Sequence, residues 1–154
     1  MRALWVKANG GCEEVSVGGL EDLQKLVGGY IEGVVVVAED ESPMSGMAMF
    51  SMYWNEDGKD IEGARVNWGA TRLMQFFRVI PQEDFIVGDT VVLGPPSTNG
   101  DEQSLSDIAA KFVKDCVQSV DEMVQKAIDA EFARIVKRET GGSNGRRRKR
   151  KKDR

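Results

Sequence analysis

Residues 104–137 read SLSDIAAKFVKDCVQSVDEMVQKAIDAEFARIVK, and this stretch sets the architecture that we expect. Its apolar residues recur at steps of three and four, which places them along one side of an α-helix. Ser104, followed three residues later by Asp107, is a variant of the capping box that begins helices. Gly141-Gly142 is typical of a helix end. The sequence therefore predicts one long amphipathic helix over about residues 104–139.

This helix is long for the domain that carries it. Thirty-odd residues at 1.5 Å each span roughly 50 Å, whereas a compact domain of about 100 residues is about 33 Å across. Unless the helix breaks near Ser119, the far end of its apolar side needs another surface, and a partner chain is one answer. We therefore predict a partner-binding stripe made of Val124, Ile128, Phe132 and Ile135.

The first part of the chain predicts a hairpin and a short helix. Residues 2–8 alternate as a strand does, and the turn signal Asn9-Gly10-Gly11 leads into a partner strand at residues 12–17. The leucines of residues 20–27 have helical spacing, and Gly28-Gly29 is a glycine pair of the kind that follows helices.

Three further strands are predicted. Residues 30–38, YIEGVVVVA, are dense in β-branched side chains and indicate a well-buried central strand. Residues 46–54 are apolar on both faces, and residues 84–93 form the last strand, with a bulge at Gly88. Residues 60–80 fit either a short helix or an irregular loop leading to a strand that stops before Pro81.

Together these elements predict an α+β fold. We expect a mostly antiparallel sheet of four to five strands, one short helix, the long C-terminal helix and then a disordered basic tail. With 154 residues, of which 41% are hydrophobic, the chain has enough apolar side chains to form the core of one domain. We place this domain at residues 1–140. No apolar run is long enough for a membrane span, and no signal peptide is evident, so we expect a cytoplasmic protein.

Charge is distributed very unevenly along the chain. Residues 145–154 hold eight of the 21 basic residues and one of the 25 acidic residues, so they carry +7 and the rest carries −11. We interpret residues 141–154 as a glycine-rich linker and a disordered tail. Such a polycation attracts phosphate without reading sequence, since no aromatic residue lies among the charges. The predicted contacts to DNA or RNA are Arg146, Arg147, Arg148, Lys149, Arg150, Lys151, Lys152 and Arg154. The alternatives are a solubilising tail or one that folds back onto the acidic body.

Catalytic and cofactor motifs are missing from the sequence. The chain has no histidine, which removes the commonest general base and the His-dependent nucleophile systems. It has no phosphate-binding loop, and two cysteines without histidine do not make a zinc site, so we expect both cysteines to be reduced. Two carboxylate groups lie in predicted turns, where they normally face water: Glu39, Asp40 and Glu41, then Glu56, Asp57, Asp60 and Glu62. We therefore predict no catalytic residue, no metal and no cofactor.

Two apolar clusters allow a functional and a structural interpretation. The methionine-rich strand is either an adaptable binding surface or, as we favour, a covered central strand; its residues are Met44, Met47, Met49 and Met52, with Phe50, Tyr53 and Trp54. A second aromatic cluster is either a ligand groove near Arg72 and Arg78 or, again preferred, part of the core; it comprises Trp68, Phe76 and Phe77.

Four short motifs together resemble a small family of domains of unknown function carried by bacteriophages and other mobile elements. They are Gly29-Tyr30-Ile31-Glu32, Asn55-Glu56-Asp57-Gly58-Lys59, the run from Gly88 to Gly94, and Ser104-Leu105-Ser106-Asp107. The resemblance covers roughly residues 1–115. This chain differs from the family at one element. The family usually has Pro-x-Asn-Arg after the second motif, whereas here Asn67 is followed by Trp68-Gly69. The resemblance implies a phage or mobile-element protein in a bacterial cytoplasm and brings no activity with it.

These observations lead to one functional prediction and two alternatives. We predict a non-enzymatic, phage-type accessory protein that binds a host or phage macromolecule, with a tail that adds non-specific affinity for nucleic acid. The first alternative is a protein that forms a homodimer through the long helix without binding nucleic acid. The second is a carboxylate-based, metal-dependent enzyme.

Overall fold

The computed structural model describes residues 1–38 and 48–148, with side chains up to residue 141. The chain divides into two compact units, Met1–Asp121 and Glu122–Arg154. The elements in chain order are β1 (Arg2–Val6), β2 (Cys12–Ser16), α1 (Leu20–Val27), β3 (Ile31–Val37), β4 (Ala48–Asn55), a short 3₁₀ helix (Gly58–Asp60), α2 (Trp68–Phe76), β5 (Thr90–Leu93) and α3 (Asp107–Arg148).

The sheet has five strands in the order β2-β1-β5-β4-β3, and every pairing is antiparallel. The predicted α+β class is therefore confirmed. Our placement of residues 30–38 at the centre is wrong, because β3 lies at an edge and Val35 is 40% exposed. A run of valines shows that a segment fits a pleated surface, but it does not specify the neighbours of that strand.

The centre belongs to β5, whose four residues are all buried. Successive side chains of a strand point to opposite faces, so Val91 and Leu93 pack towards α1 while Val92 packs on the other side. Leu23 and Val27 of α1 complete the first cluster. A second cluster of buried residues contains Val92. It also includes residues from α2 and from the first part of α3: Ala70, Leu73, Met74, Ala109, Ala110, Val113 and Val117.

Asn67 organises the part of the chain that the sequence left open. Its side chain is fully buried, and its Oδ1 accepts a hydrogen bond of 3.0 Å from the backbone N–H of Ala70 at the start of α2. Its Nδ2 donates to the backbone oxygens of Val6 and Gly88, at 3.0 Å each. One side chain therefore caps a helix and ties it to β1 and to the chain before β5.

Residues 60–80 contain the helix α2, and no strand lies between the end of α2 and Pro81. Arg78 has a φ of 57°, which ends the helical path of α2. The predicted strand at 84–93 shortens to Thr90–Leu93, because Gly88 adopts a φ of 84° and Val87 makes only an isolated bridge to Val66. The interruption falls at the glycine where we expected a bulge.

The long helix differs from the prediction at both ends. It begins at Asp107, where the Oγ of Ser106 accepts a hydrogen bond of 3.2 Å from the backbone N–H of Ala109. The Oγ of Ser104 instead accepts from the backbone N–H of Arg2, at 3.0 Å. The helix runs without a break at Ser119 and extends past Gly141-Gly142 to Arg148. Glycine costs only about 1 kcal/mol inside a helix, so this pair does not oblige it to end.

The hairpin between β1 and β2 also holds α3. Gly10 and Gly11 have φ values of 98° and 93°, as the predicted turn requires. This conformation directs the backbone N–H of Gly11 to the Oδ2 of Asp121, at 2.8 Å. Lys114 of α3 forms an ion pair with Glu14 of β2 at 3.3 Å. The hairpin therefore contacts the helix at two points along its length.

We expect Asn67→Ala to destabilise the first unit by about 3 kcal/mol, because it removes the hydrogen-bond partner of a helix N–H, of the buried Val6 carbonyl and of the partly buried Gly88 carbonyl. Urea unfolding followed by circular dichroism measures the change. The exposed Asn99 provides a matched control, and Asn99→Ala should stay within about 0.5 kcal/mol of the parent. Equal losses from the two variants would contradict the structural role of Asn67.

Candidate functional site

A polar cleft of about 340 Å³ lies beside the turn that follows β4. The register of β3 and β4 places Glu32 opposite Trp54, and the indole Nε1 donates to the Glu32 Oε2 at 3.1 Å. Asn55 and Lys59 contribute from the turn, and Asp84 closes the far side. The structure therefore brings together residues from two of the motifs on which the family resemblance rests.

The charges of the polar cleft are partly paired. The Nζ of Lys59 lies 2.5 Å from the Oδ1 of Asp84 and 4.8 Å from the centre of the Phe85 ring. The hydrogen bond from Lys59, followed by that from the Phe85 backbone N–H, holds the pKa of Asp84 below its ordinary value. Such a cleft suits a polar or cationic group.

The glycine of this turn is required for space. A Cβ at Gly58 would lie 2.8 Å from the backbone oxygen of Val87. Only the absence of a side chain lets the turn approach the chain before β5 so closely. The turn is also stabilised by Asn55, whose Oδ1 accepts from the backbone N–H of Asp57 at 2.9 Å.

An apolar groove of about 580 Å³ separates α2 from the first part of α3. Phe76 is 70% exposed on one wall and Phe112 lies on the other, with Arg72 and Asp115 also lining it. Phe77 instead packs edge-on against Phe50, with ring centres 5.7 Å apart. The second aromatic cluster thus divides: Phe76 lines a groove, as the less favoured interpretation predicted, while Phe77 completes the core.

The predicted partner-binding stripe lies on the part of α3 in the second unit. Val124 is partly buried, whereas Ile128 is 56% exposed, Phe132 is 69% exposed and Ile135 is 45% exposed. Steps of four, four and three residues keep all four on one side of the helix. We call these four residues the distal stripe. Met123 and Val136 are also exposed, which adds large apolar side chains to the same unit.

The methionine-rich strand and the acidic turn after β4 differ in their exposure to water. Met52 and Phe50 are fully buried, which confirms a core role for that part of the methionine-rich strand. The carboxylates of residues 56, 57, 60 and 62 are exposed, as we expected for turns. In the part of the chain that the structure describes, no three Cys, Asp or Glu side chains are grouped to hold a metal ion.

Several candidates lie outside the described residues or side chains. The first acidic group, Glu39, Asp40 and Glu41, and the methionines Met44 and Met47 belong to residues that the structure leaves undescribed. Arg146, Arg147 and Arg148 are described only as the last helical backbone of α3. The other basic residues of the tail, from Lys149 onward, are not described.

The cysteines are unbonded and poorly ionised. Both Cys12 and Cys116 are free thiols, and both are partly buried. Burial raises the pKa of Cys12 to about 11 and also raises the pKa of Cys116. A thiol with a raised pKa is a weak nucleophile at neutral pH.

One polar pair was not found from the sequence. The hydroxyl of Tyr53 on β4 donates to the Oε1 of Glu102, in the loop after β5. Burial, and then this carboxylate, raises the pKa of Tyr53 to about 12. The two residues are far apart in the chain and belong to no common motif, so no local pattern predicted their contact.

The fold and these surfaces define a small α+β protein, with an antiparallel sheet covered by helices on both faces. Residues 1–117 match the family described as Domain of unknown function (DUF3846), and the chain belongs to this family. The match confirms the resemblance to a family of unknown function. No curated protein and no solved structure matches the chain. None of the helices in the described residues has the length and apolar character to cross a membrane.

Alkaline pH should test the Tyr53 environment. Because the pKa of Tyr53 rises from 10 to about 12 on folding, the folded state keeps a proton that the unfolded state releases. This contribution to stability is complete below pH 10 and is lost as the pH rises towards about 12. We expect the urea midpoint to fall less steeply over this range in Tyr53→Phe than in the parent.

The control for this experiment is Tyr30→Phe, since Tyr30 is 69% exposed. Its urea midpoint should follow that of the parent at every pH, and the contribution of Cys12 is common to all three proteins. Identical slopes for the parent and Tyr53→Phe would show that Tyr53 is not perturbed.

Proposed function

We propose that this protein is a non-enzymatic accessory protein that binds a macromolecule through the distal stripe. The observation that carries the proposal is the exposure of Ile128, Phe132 and Ile135 on one side of α3. Large apolar side chains grouped on one helix face favour a partner surface that removes them from water.

The basic tail provides a second contact in this proposal. Its charge of +7 attracts the phosphates of DNA or RNA, whereas the charge of −11 on the rest of the chain repels them. Binding of this kind concentrates the protein on nucleic acid without selecting a sequence. The family resemblance leads us to propose that the protein belongs to a phage or mobile element and acts in the bacterial cytoplasm.

Affinity capture from bacterial lysate tests the stripe. Immobilised full-length protein should retain a partner protein in the presence of nuclease, and Phe132→Ser should lose it. Ile108→Ser is the matched control, because Ile108 is 78% exposed on α3 outside the distal stripe, and it should retain the partner. Equal capture by all three proteins, or nothing retained after nuclease treatment, would contradict binding through the stripe.

Removal of residues 145–154 tests the tail. The shortened protein should unfold at the same urea concentration as the parent but lose its retention of duplex DNA in a low-salt mobility shift. For the parent, the logarithm of the binding constant should fall with the logarithm of salt concentration by about 0.9 per phosphate contacted.

The matched control for the tail keeps its composition and permutes the order of residues 146–154. Since only charge is required, the permuted protein should bind DNA as the parent does. If the parent protein does not bind DNA at low salt, the nucleic-acid part of the proposal is wrong. The proposed binding through the distal stripe is not affected by that result.

A further inference from the structure

The two edges of the sheet differ in their charged side chains. At the β2 edge, the carboxylate of Glu13 lies 2.7 Å from the Nζ of Lys7, and Glu14 forms its ion pair with Lys114. The seven residues of β3 include one charged side chain, Glu32, which is followed by a glycine and four valines. Charged side chains on an edge strand oppose the addition of a further strand, so the β3 edge is the less protected of the two.

The hydrogen bonds of β3 show which of its backbone groups face the free edge. The backbone N–H of Glu56 donates to the backbone oxygen of Tyr30 at 3.0 Å, in register with the pairing of β3 and β4. In an antiparallel pair, residues that bond to the neighbouring strand alternate with residues whose backbone groups point away from it. Ile31, Gly33 and Val35 therefore direct their N–H and C=O groups away from β4. Among the described residues, β4 is the only strand that pairs with β3.

The side chains along this edge place a gap beside a projection. Gly33 has no side chain, and the ring of Tyr53 on β4 lies so close that a Cβ at Gly33 would overlap it. Val35 follows two residues later, on the same face of the strand, and is 40% exposed. A strand that adds to this edge therefore fits best with a side chain opposite Gly33 and a gap opposite Val35.

A second copy of β3 meets this requirement. Two copies related by a two-fold axis perpendicular to the sheet run antiparallel, and an axis at Val34, the middle residue of β3, pairs all seven residues. Val35 of each copy then lies directly opposite Gly33 of the other. These two residue pairs exchange about four backbone hydrogen bonds. Each Val35 also packs beside the Tyr53 ring of the other copy instead of facing water.

Charge favours this edge over the other for such a pair. Glu32 lies two positions from the axis, so its two copies are about 14 Å apart along the strands at about 3.4 Å per residue. This separation exceeds the Debye length of about 8 Å at physiological ionic strength. The same operation at the β2 edge would place Glu14, the middle residue of β2, directly opposite its own copy, where like charges are destabilising.

We propose that two copies of this chain pair antiparallel through β3, with a two-fold axis at Val34, so that their two sheets become continuous. This inference is independent of the proposed function, because β3 belongs to the first unit and the distal stripe belongs to the second. Pairing uses the unprotected edge of each copy, and the edges that remain are the charged β2 strands. The assembly therefore stops at two copies.

Sedimentation equilibrium of the full-length, nuclease-treated protein over a range of concentrations tests the pairing. We expect a reversible dimer whose dissociation constant rises at least about tenfold in Val35→Lys, because the lysine brings an unpaired charge to the paired edge. Val35→Thr keeps the β-branched shape without a charge and should retain the dimer. Val15→Lys makes the same change on β2 and should leave the constant within about twofold of the parent. Circular dichroism verifies that each variant keeps the fold.

Disulfide trapping tests the position of the axis. In the proposed pair, Val34 faces its own copy without mutual hydrogen bonds, so the two Cα atoms are about 4.5 Å apart, which a disulfide can span. Mild oxidation of Val34→Cys should therefore give a covalent dimer. Glu32→Cys is the matched control, since its copies lie about 14 Å apart. It should cross-link no more than the parent, which carries the same two free cysteines, Cys12 and Cys116.

The remaining outcomes separate this inference from the proposed function. A parent protein that stays monomeric at all concentrations overturns the inference and leaves the β3 edge open to a strand of a different protein. A dimer that Val35→Lys leaves intact but Phe132→Ser dissociates also overturns it, and assigns self-association to the distal stripe. Equal cross-linking of Val34→Cys and Glu32→Cys contradicts the axis at Val34. A dimer that Val35→Lys weakens and Val34→Cys traps supports the inference.

Discussion

The fold depends on the burial of one short strand. Four residues, Thr90–Leu93, form the centre of the sheet, and all of them are buried. A strand without access to water on either face needs a cover on both, and α1 supplies one while α2 and the beginning of α3 supply the other. Asn67 then fixes the second cover, because its hydrogen bonds join α2 to β1 and to the chain entering β5.

Local patterns in the sequence were sufficient to predict most elements. The glycine turn at residues 10–11, the short helix α1 and the long helix α3 each depend on neighbours within a few residues, and periodicity or turn chemistry reports such neighbours. The distal stripe was predicted for the same reason, since helical spacing alone places its residues on one side. The order of the strands has no such local signal, which is why β3 was assigned to the wrong place in the sheet.

Competition between distant contacts explains the other differences. Ser104 and Ser106 are both suitable caps, and the backbone N–H of Arg2, from the other end of the first unit, determines that Ser104 bonds to β1. The apolar groove beside Phe76 and the contact between Tyr53 and Glu102 also join segments that are remote in sequence. These features arise only when the chain is packed. By contrast, the distal stripe and the tail lie beyond residue 117, where the family match ends.

The hydrogen bond between Gly11 and Asp121 joins the edge of the sheet to the long helix. Asp121 is the last residue of the first unit, and its carboxylate is held by the turn between β1 and β2. The same helix packs into the core through Val113 and Val117, so it is joined both to the buried centre and to the hairpin that includes the edge strand β2. Local opening of this exposed turn would release Asp121 while the residues of β5 stay buried.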